Sequence, residues 1–487
     1  MQLLSQLKKI LKLKEKEKIM EKEKKFSGLF NFDGNVTTKE ALPLAFQHVV
    51  AMIAGCITPP LMLAGACGLS PENTIILIQI ALIGSALTSL LMIYPIKIIG
   101  SRLPMIFGVS FAYVPTMIAL ASQFQAKGPI EIVAIVLGAQ IVGGICSILF
   151  GLGLKYIMPL FPPLVSGTVV LVIGLSLYPV AMNYMGGAGS VEVAGWGAWQ
   201  NWFVGVLTLI LGLGFTHFGK GMFKLANVLF AMIIGYIISI FFGMVDFSTV
   251  KDAGWISVVE PFHFGISFEP SAIISITIIF IVTAIEGIGD MTSTTVGGMD
   301  RIPTPKELRG GIVGYGAANV IGAAFGCLPT ATFSQNAGIV SINKVVNKKV
   351  FTFASLIILV SGLVPKLSSI LTTIPYPVLG GATLSVFAAI TMNGIRMITS
   401  QPLSGRNTSI VGVSVALGVG FTTVVASAQN AGVFFMPEEL TVAIGSSPVV
   451  LATISSVLMN LIIPEKEEDR AKEDSLANLE MKELEEE

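Results

Sequence analysis

The chain of 487 residues is 53% hydrophobic and 12% charged, with a formal net charge of zero. Soluble domains carry about 25% charged residues, so this composition excludes one, and a balanced charge offers no basic field to hold nucleic acid. Twenty-eight of the 60 charges fall in residues 1–25 and 465–487, and the 439 residues between them hold 32, a density that belongs in lipid.

Residues 1–35 read as a cytoplasmic tail rich in Lys and Glu, suited to a short surface helix near anionic headgroups or to disorder. A helix needs about 20 apolar residues to cross a bilayer core. In chain order, regions of that kind occur at 41–67, 73–93, 130–153, 159–182, 200–216 and 225–244, with a more polar, Pro-bounded region at 104–124 that predicts a broken third crossing. Residues 246–269 read as an external loop. The second set runs 270–290, 310–328, 329–344, 349–365, 371–396, 407–428 and 441–463, and its third member, 329–344, is again too short and polar for a plain helix. After Pro464 the acidic residues 465–487 read as a solvated tail without chemistry. The expected fold is an all-α polytopic membrane protein of fourteen transmembrane segments, with repeats over 36–245 and 270–464.

Charge placement supports that count. With the N-terminus inside, strict alternation puts thirteen bases in inner loops and three, Lys127, Lys251 and Lys366, outside. A missed crossing would mix the two sets, so both termini are expected in the cytoplasm of a cell membrane.

The two unusual regions lie at corresponding places, Pro104 opening PMIFGVSFAYVPTM and Pro329 opening PTATFSQNAGIVSINK, 225 residues apart. An odd number of crossings per repeat makes the second enter from the opposite side, an inverted 7+7 pair. Interrupted segments at matching positions of such repeats point to a midplane binding site, because unpaired backbone groups are tolerated in hydrocarbon only where protein, water or ligand satisfies them. Two short extended pieces could pair with each other there, each leading into a half-helix whose positive end faces one cavity. Consecutive Ser334, Gln335 and Asn336 would also expose a polar group to lipid unless this segment were buried in protein.

Glu286 and Asp290 stand at i and i+4 on one helical face of the eighth crossing. An intramembrane carboxylate marks a functional site because its ionisation is expensive in lipid, and such a group suits proton uptake on one side and release on the other. Asp290, near the end of that crossing, could instead pair with Arg301. Gln335 can donate and accept at once, matching the amide-like edge of a heterocycle. Asn336 could contact the ligand or lock the helix break, and Gly338 would let the half-helix approach a neighbour closely. His48, one of three histidines, reads either as a hydrogen-bonded core residue or as support for the carboxylate. Phe111 and Tyr113 could stack on an aromatic ligand. The four cysteines lack metal-ligand spacing. No P-loop, zinc-hydrolase motif, metal site or cofactor site is legible, so the chain reads as a transporter driven by an ion gradient and not as an enzyme.

FQHVVAM in the first crossing, GVSFAYV in the third, EGIGD in the eighth and PTATFSQNAG in the tenth together resemble the nucleobase–cation symporters, also called nucleobase–ascorbate transporters, over residues 36–464. That resemblance implies a core and a gate domain, a homodimer, and uptake of a purine base, xanthine or urate, with protons. It implies that Glu286 and Gln335 contact the base, that the Tyr113 backbone amide meets it, and that His48 and Asp290 support coupling. Gln335 points to oxidised purines, where uracil carriers have Glu. Three positions depart from the family pattern: Tyr315 in GIVGYGAAN stands where an Asp is usual, Asn343-Lys344 replaces a usual Thr-led pair, and Ala112 replaces a polar side chain. Uracil or another nucleobase, sodium coupling, and an anion carrier of the same overall fold, for sulfate or bicarbonate, remain alternative readings.

Overall fold

The computed structural model describes residues 28–430 and 447–464, apart from 190, 192 and 258, together with Val433, Thr441 and Gly445. The expected tail helix within 1–25 and the acidic tail lie outside the described residues. The first half contains α1 (Thr38–Cys67), α2 (Pro71–Ile93), β1 (Phe107–Val109), α3 (Val114–Gln123), α4 (Pro129–Leu152), α5 (Pro163–Met185), α6 (Trp199–Phe218) and α7 (Asn227–Phe241). The second contains α8 (Pro270–Met299), α9 (Pro305–Ala324), β2 (Thr330–Thr332), α10 (Ser334–Asn343), α11 (Lys348–Gly362), α12 (Pro365–Thr372), α13 (Tyr376–Thr399), α14 (Gly405–Val415), α15 (Thr422–Asn430) and α16 (Pro448–Ile462).

Every predicted crossing therefore contains helix. Among the described residues eight helices are long and apolar enough to span a membrane, or nine when α11 and α12, bent by 78°, are taken together. The differences from expectation have local causes. The eighth helix runs nine residues past the predicted end at 290, because one face of TSTTVGG packs on protein: Thr294 and Thr295 are buried, and Gly297 and Gly298 lie against Ser341 and Val340 of α10. The predicted twelfth crossing begins only at Tyr376, since Pro365 starts the separate helix α12 and Pro375 caps the next one. Between α14 and α15, Ala416–Phe421 form a π-helical stretch.

Helix starts follow the expected chemistry. Proline in the first turn opens α2, α4, α5, α8, α9, α12 and α16, where its missing N–H costs nothing. Thr304 and Glu307 form a capping box on α9. Helix α1 stops at Gly68, whose φ of 70° closes its last turn.

The helices pack in two groups. One comprises α1–α4 and α8–α11; the other comprises α5–α7, α13, α14 and α16. The paired strands belong to the first group, packed against α1, α2, α8 and α9, and run antiparallel with Phe107 opposite Thr332, Gly108 opposite Ala331 and Val109 opposite Thr330. Backbone bonds from Ser110 N–H to the Pro329 carbonyl and from Phe333 N–H to the Ile106 carbonyl, each 3.0 Å, extend the ladder at both ends. The extended pieces predicted at the two prolines thus satisfy each other, which is what an apolar interior demands.

Loop contacts join segments distant in sequence. Asp33 accepts from Arg102 at 2.8 Å and from Lys348 at 2.7 Å, while the Gly100 N–H donates to the Gly310 carbonyl at 2.9 Å. Lys127 pairs with Glu269, and His263 Nε2 lies 2.9 Å from Asn73 Oδ1.

Candidate functional site

A cavity of about 200 Å³ lies where the strands meet the second helix group. One wall is formed by Val109, Ser110, Phe111 and Ala112 after β1 and by Thr332, Phe333, Ser334 and Gln335 after β2, with Glu286 from α8. The facing wall is apolar apart from Asn393: Val170 and Ile173 from α5, and Val386, Ala389 and Ile390 from α13. Phe111 meets Phe387 of that wall edge to face at 5.3 Å. This is the composition of a small-molecule site, mostly apolar with a few convergent polar groups.

The first wall holds together because glycines leave room for an aromatic ring. A Cβ on Gly55 of α1 or on Gly108 of β1 would fall 2.7 Å or 2.4 Å from the Phe333 ring. Phe333 is therefore packed against both α1 and β1, and any side chain at either glycine would displace it.

Glu286 and Gln335 both line the cavity, Gln335 with its side chain exposed to it. Asp290, one turn beyond Glu286, does not. It is buried and accepts hydrogen bonds from Thr332, the last residue of β2, and from Ser334 at 3.0 Å, the first residue of α10. Its carboxyl group sits at the positive end of the half-helix α10. Arg301, considered as its partner, pairs instead with Glu307 at 2.6 Å. Among the described residues no Lys or Arg forms an ion pair with Glu286 or Asp290.

Other expected residues stand one layer back. Asn336 is buried and donates from Nδ2 to His48 Nδ1 at 3.1 Å and to the His48 carbonyl at 3.2 Å. It locks the break between strand and half-helix and does not line the cavity. His48, packed on Phe351 at 4.7 Å, holds that segment to α1 and makes no contact with a carboxylate. Phe111 lines the cavity, but Tyr113 does not: its hydroxyl is 2.8 Å from Thr283 Oγ1 and 2.5 Å from the Tyr315 hydroxyl. The residues of this segment that line the cavity are therefore Val109, Ser110, Phe111 and Ala112. Tyr315, at the position where the resemblance expected Asp, reaches the eighth helix through Thr283 at 2.5 Å, so a neutral hydroxyl cluster fills the place of a charge.

Gly338 requires correction. Nothing lies within 4 Å of a Cβ built there, so it mediates no close approach; that role belongs to Gly297 and Gly298 on α8. Sequence reasoning missed Thr283, Asn319, Phe333 and Asn393. Thr283 was findable, standing one turn before Glu286, whereas the partners of Asn319 depend on how three segments come together.

The family model described as Permease family matches residues 39–427. Xanthine permease XanQ of Escherichia coli strain K12 is 32% identical over 90% of this chain and 94% of its own length. Uric acid permease PucK of Bacillus subtilis strain 168 is 32% identical over 89% of this chain and 97% of its own. Among solved structures, the transmembrane domain of the cyanobacterial bicarbonate transporter BicA superposes with a TM-score of 0.56 at 16% identity, over 86% of this chain and 97% of that one. Murine Slc26a9, an anion transporter in its inward-facing state, gives 0.57 at 12% identity over 88% of this chain and 69% of that one. These two structures share the fold.

Proposed function

The chain belongs to the Permease family, whose model covers residues 39–427, and from that premise we propose that it imports a purine base, xanthine or urate, by proton-coupled symport across the cell membrane. The observation that carries this reading is the meeting of Glu286 and Gln335 in one cavity beside Phe111 and Phe333. A carboxyl group and a primary amide offer paired donors and acceptors to the edge of an oxidised purine, and the rings supply apolar faces. Equal identity to a xanthine and a uric acid permease does not choose between the two bases.

In this mechanism Glu286 takes a proton as the base enters, because a neutral carboxyl group can donate to the ligand and is far less costly to hold in an apolar cavity than a carboxylate. The second helix group acts as a gate. Its apolar wall slides past the strand-bearing core, exposing the cavity to one side and then the other, and Glu286 releases its proton inside. Fourteen crossings in two inverted repeats, cytoplasmic termini and a homodimer complete the proposal. The matched 30-residue lengths of α1 and α8 and the antiparallel strands support the repeat.

Uptake of radiolabelled xanthine and urate by cells making the protein tests it. Accumulation should collapse with a protonophore and persist without sodium. Glu286→Gln should bind base but lose accumulation and its pH dependence; unchanged accumulation by that variant would refute the coupling role. Sodium-dependent uptake would replace the proton with sodium, and uptake of uracil alone would replace the purine. An anion carrier is disfavoured by a carboxyl group lining the cavity.

A further inference from the structure

Two residues of α9 that touch neither the cavity nor each other's partners hold both interrupted segments. Tyr315 and Asn319 are four apart, on one face of the helix. The Tyr315 hydroxyl joins those of Tyr113, at 2.5 Å, and Thr283, at 2.5 Å. Tyr113 directly follows the cavity residues Phe111 and Ala112, and Thr283 lies one turn before Glu286. One turn along α9, Asn319 satisfies both backbone groups of Thr330: Oδ1 accepts from its N–H at 2.8 Å and Nδ2 donates to its carbonyl at 3.0 Å. Thr330 is opposite Val109, which lines the cavity. The amide itself is oriented by donation to the Tyr315 carbonyl at 2.9 Å and by Gln140 Nε2, 3.3 Å from Oδ1.

We propose that α9 is a bracket that fixes the spacing between the strand pair and the eighth helix, with Tyr315 and Asn319 as positioning residues for the substrate cavity. This rests on the transport reading for its kinetic consequence but not for its structural one. All four side chains of the bracket, Tyr113, Thr283, Tyr315 and Asn319, are buried, so their bonds are not exchanged for water and the geometry they impose is stiff. The third segment is held by the tip of a side chain and the tenth by its own backbone. Loss of Tyr315's hydroxyl therefore loosens one segment and leaves the other in place.

Tyr315→Phe is the informative change, because Tyr113 and Thr283 remain 2.8 Å apart and keep a mutual bond, so the variant should fold. Its KM for the purine should rise by about three- to tenfold, the equivalent of one buried hydrogen bond, with membrane abundance unchanged and the ranking of N-methylated purine inhibitors altered. Tyr113→Phe should give the same shift, and the double variant no more than either alone. Independently of transport, hydrogen exchange of the purified protein should quicken at the Ser110–Val114 amides in Tyr315→Phe while the Thr330–Thr332 amides keep their protection. Unchanged exchange overturns the bracket whatever the substrate. A wild-type protein that fails to take up purines overturns the transport reading alone, and normal KM and inhibitor ranking in Tyr315→Phe, with wild-type uptake intact, overturns the bracket alone.

Discussion

Asn336 donates two hydrogen bonds to His48, one to the ring at 3.1 Å and one to the carbonyl at 3.2 Å, across 288 residues of sequence. Its neighbour Gln335 points the other way, into the cavity. Adjacent polar residues thus perform opposite tasks, and substitution should separate them. Asn336→Ala leaves a buried imidazole nitrogen and carbonyl without their donor, so thermal unfolding in detergent should reveal a loss of about 1–3 kcal/mol. Gln335→Ala should unfold at nearly the wild-type temperature but bind the base weakly. Equal melting temperatures for the two variants would contradict the assignment.

Asp290 gathers the end of β2 and the start of α10 onto α8. Asp290→Ala removes the acceptor for two hydroxyls at once and should lower both melting temperature and transport, whereas Glu286→Gln should lower transport only. Asp290→Asn, which keeps one acceptor oxygen, should recover most of the stability. If Asp290→Asn is as unstable as Asp290→Ala, charge at the half-helix terminus matters more than the hydrogen bonds.

The segment before α1 is tied to the loop ahead of α11. Asn347 Nδ2 donates to the carbonyls of Gly28, Asn31 and Gly34 at 2.7–3.0 Å, and the exposed Asp33 is clasped by Lys348 and Arg102. The hydrogen bond from Lys348, followed by the charge of Arg102, holds the Asp33 carboxyl below its usual pKa. A group depressed in the folded state stabilises above its unfolded pKa and loses that contribution as pH falls through the folded value. The protection factor of the residue 28–36 amides, taken relative to intrinsic exchange at each pH, should therefore be flat from about pH 5 to 8 and fall below about pH 4. Asn347→Ala should loosen the segment more than Asp33→Asn at neutral pH, because solvent screens the exposed clasp.

Glycines in the helices divide by what surrounds them. A Cβ at Gly381 would lie 2.1 Å from the Gly205 carbonyl oxygen, a backbone atom that cannot turn aside, while at Gly338 it would meet nothing. Gly381→Ala should abolish stable packing of α13 on α6, seen as loss of folded protein from the membrane. Gly338→Ala should be tolerated, or stabilising by up to about 1 kcal/mol through helix propensity.

The helices were legible because hydrocarbon leaves a chain few options: a long apolar run must be helix, and prolines beside polar clusters mark where it cannot be. Pro104, Pro329 and the Ser334–Asn336 run located both interruptions, and of the i, i+4 carboxylates Glu286 lines the candidate cavity. The division of labour around the cavity was not legible. Asn336, Tyr113 and His48 carry the same chemistry as Gln335 and Phe111, and only the angle at which each leaves the backbone decides whether it faces the cavity or the protein interior. Tyr315 seemed a lost charge in sequence; with Tyr113 and Thr283 beside it, it completes a hydroxyl cluster.

The ladder between Phe107–Val109 and Thr330–Thr332 bears on how the molecule is made. A ribosome that has delivered the first half has inserted a segment whose partner is still more than two hundred residues away. Until that partner arrives, those peptide groups must borrow water or the insertion machinery, so the first half should persist as a loosely joined, protease-sensitive set of helices that sets into its final form only after the second half enters.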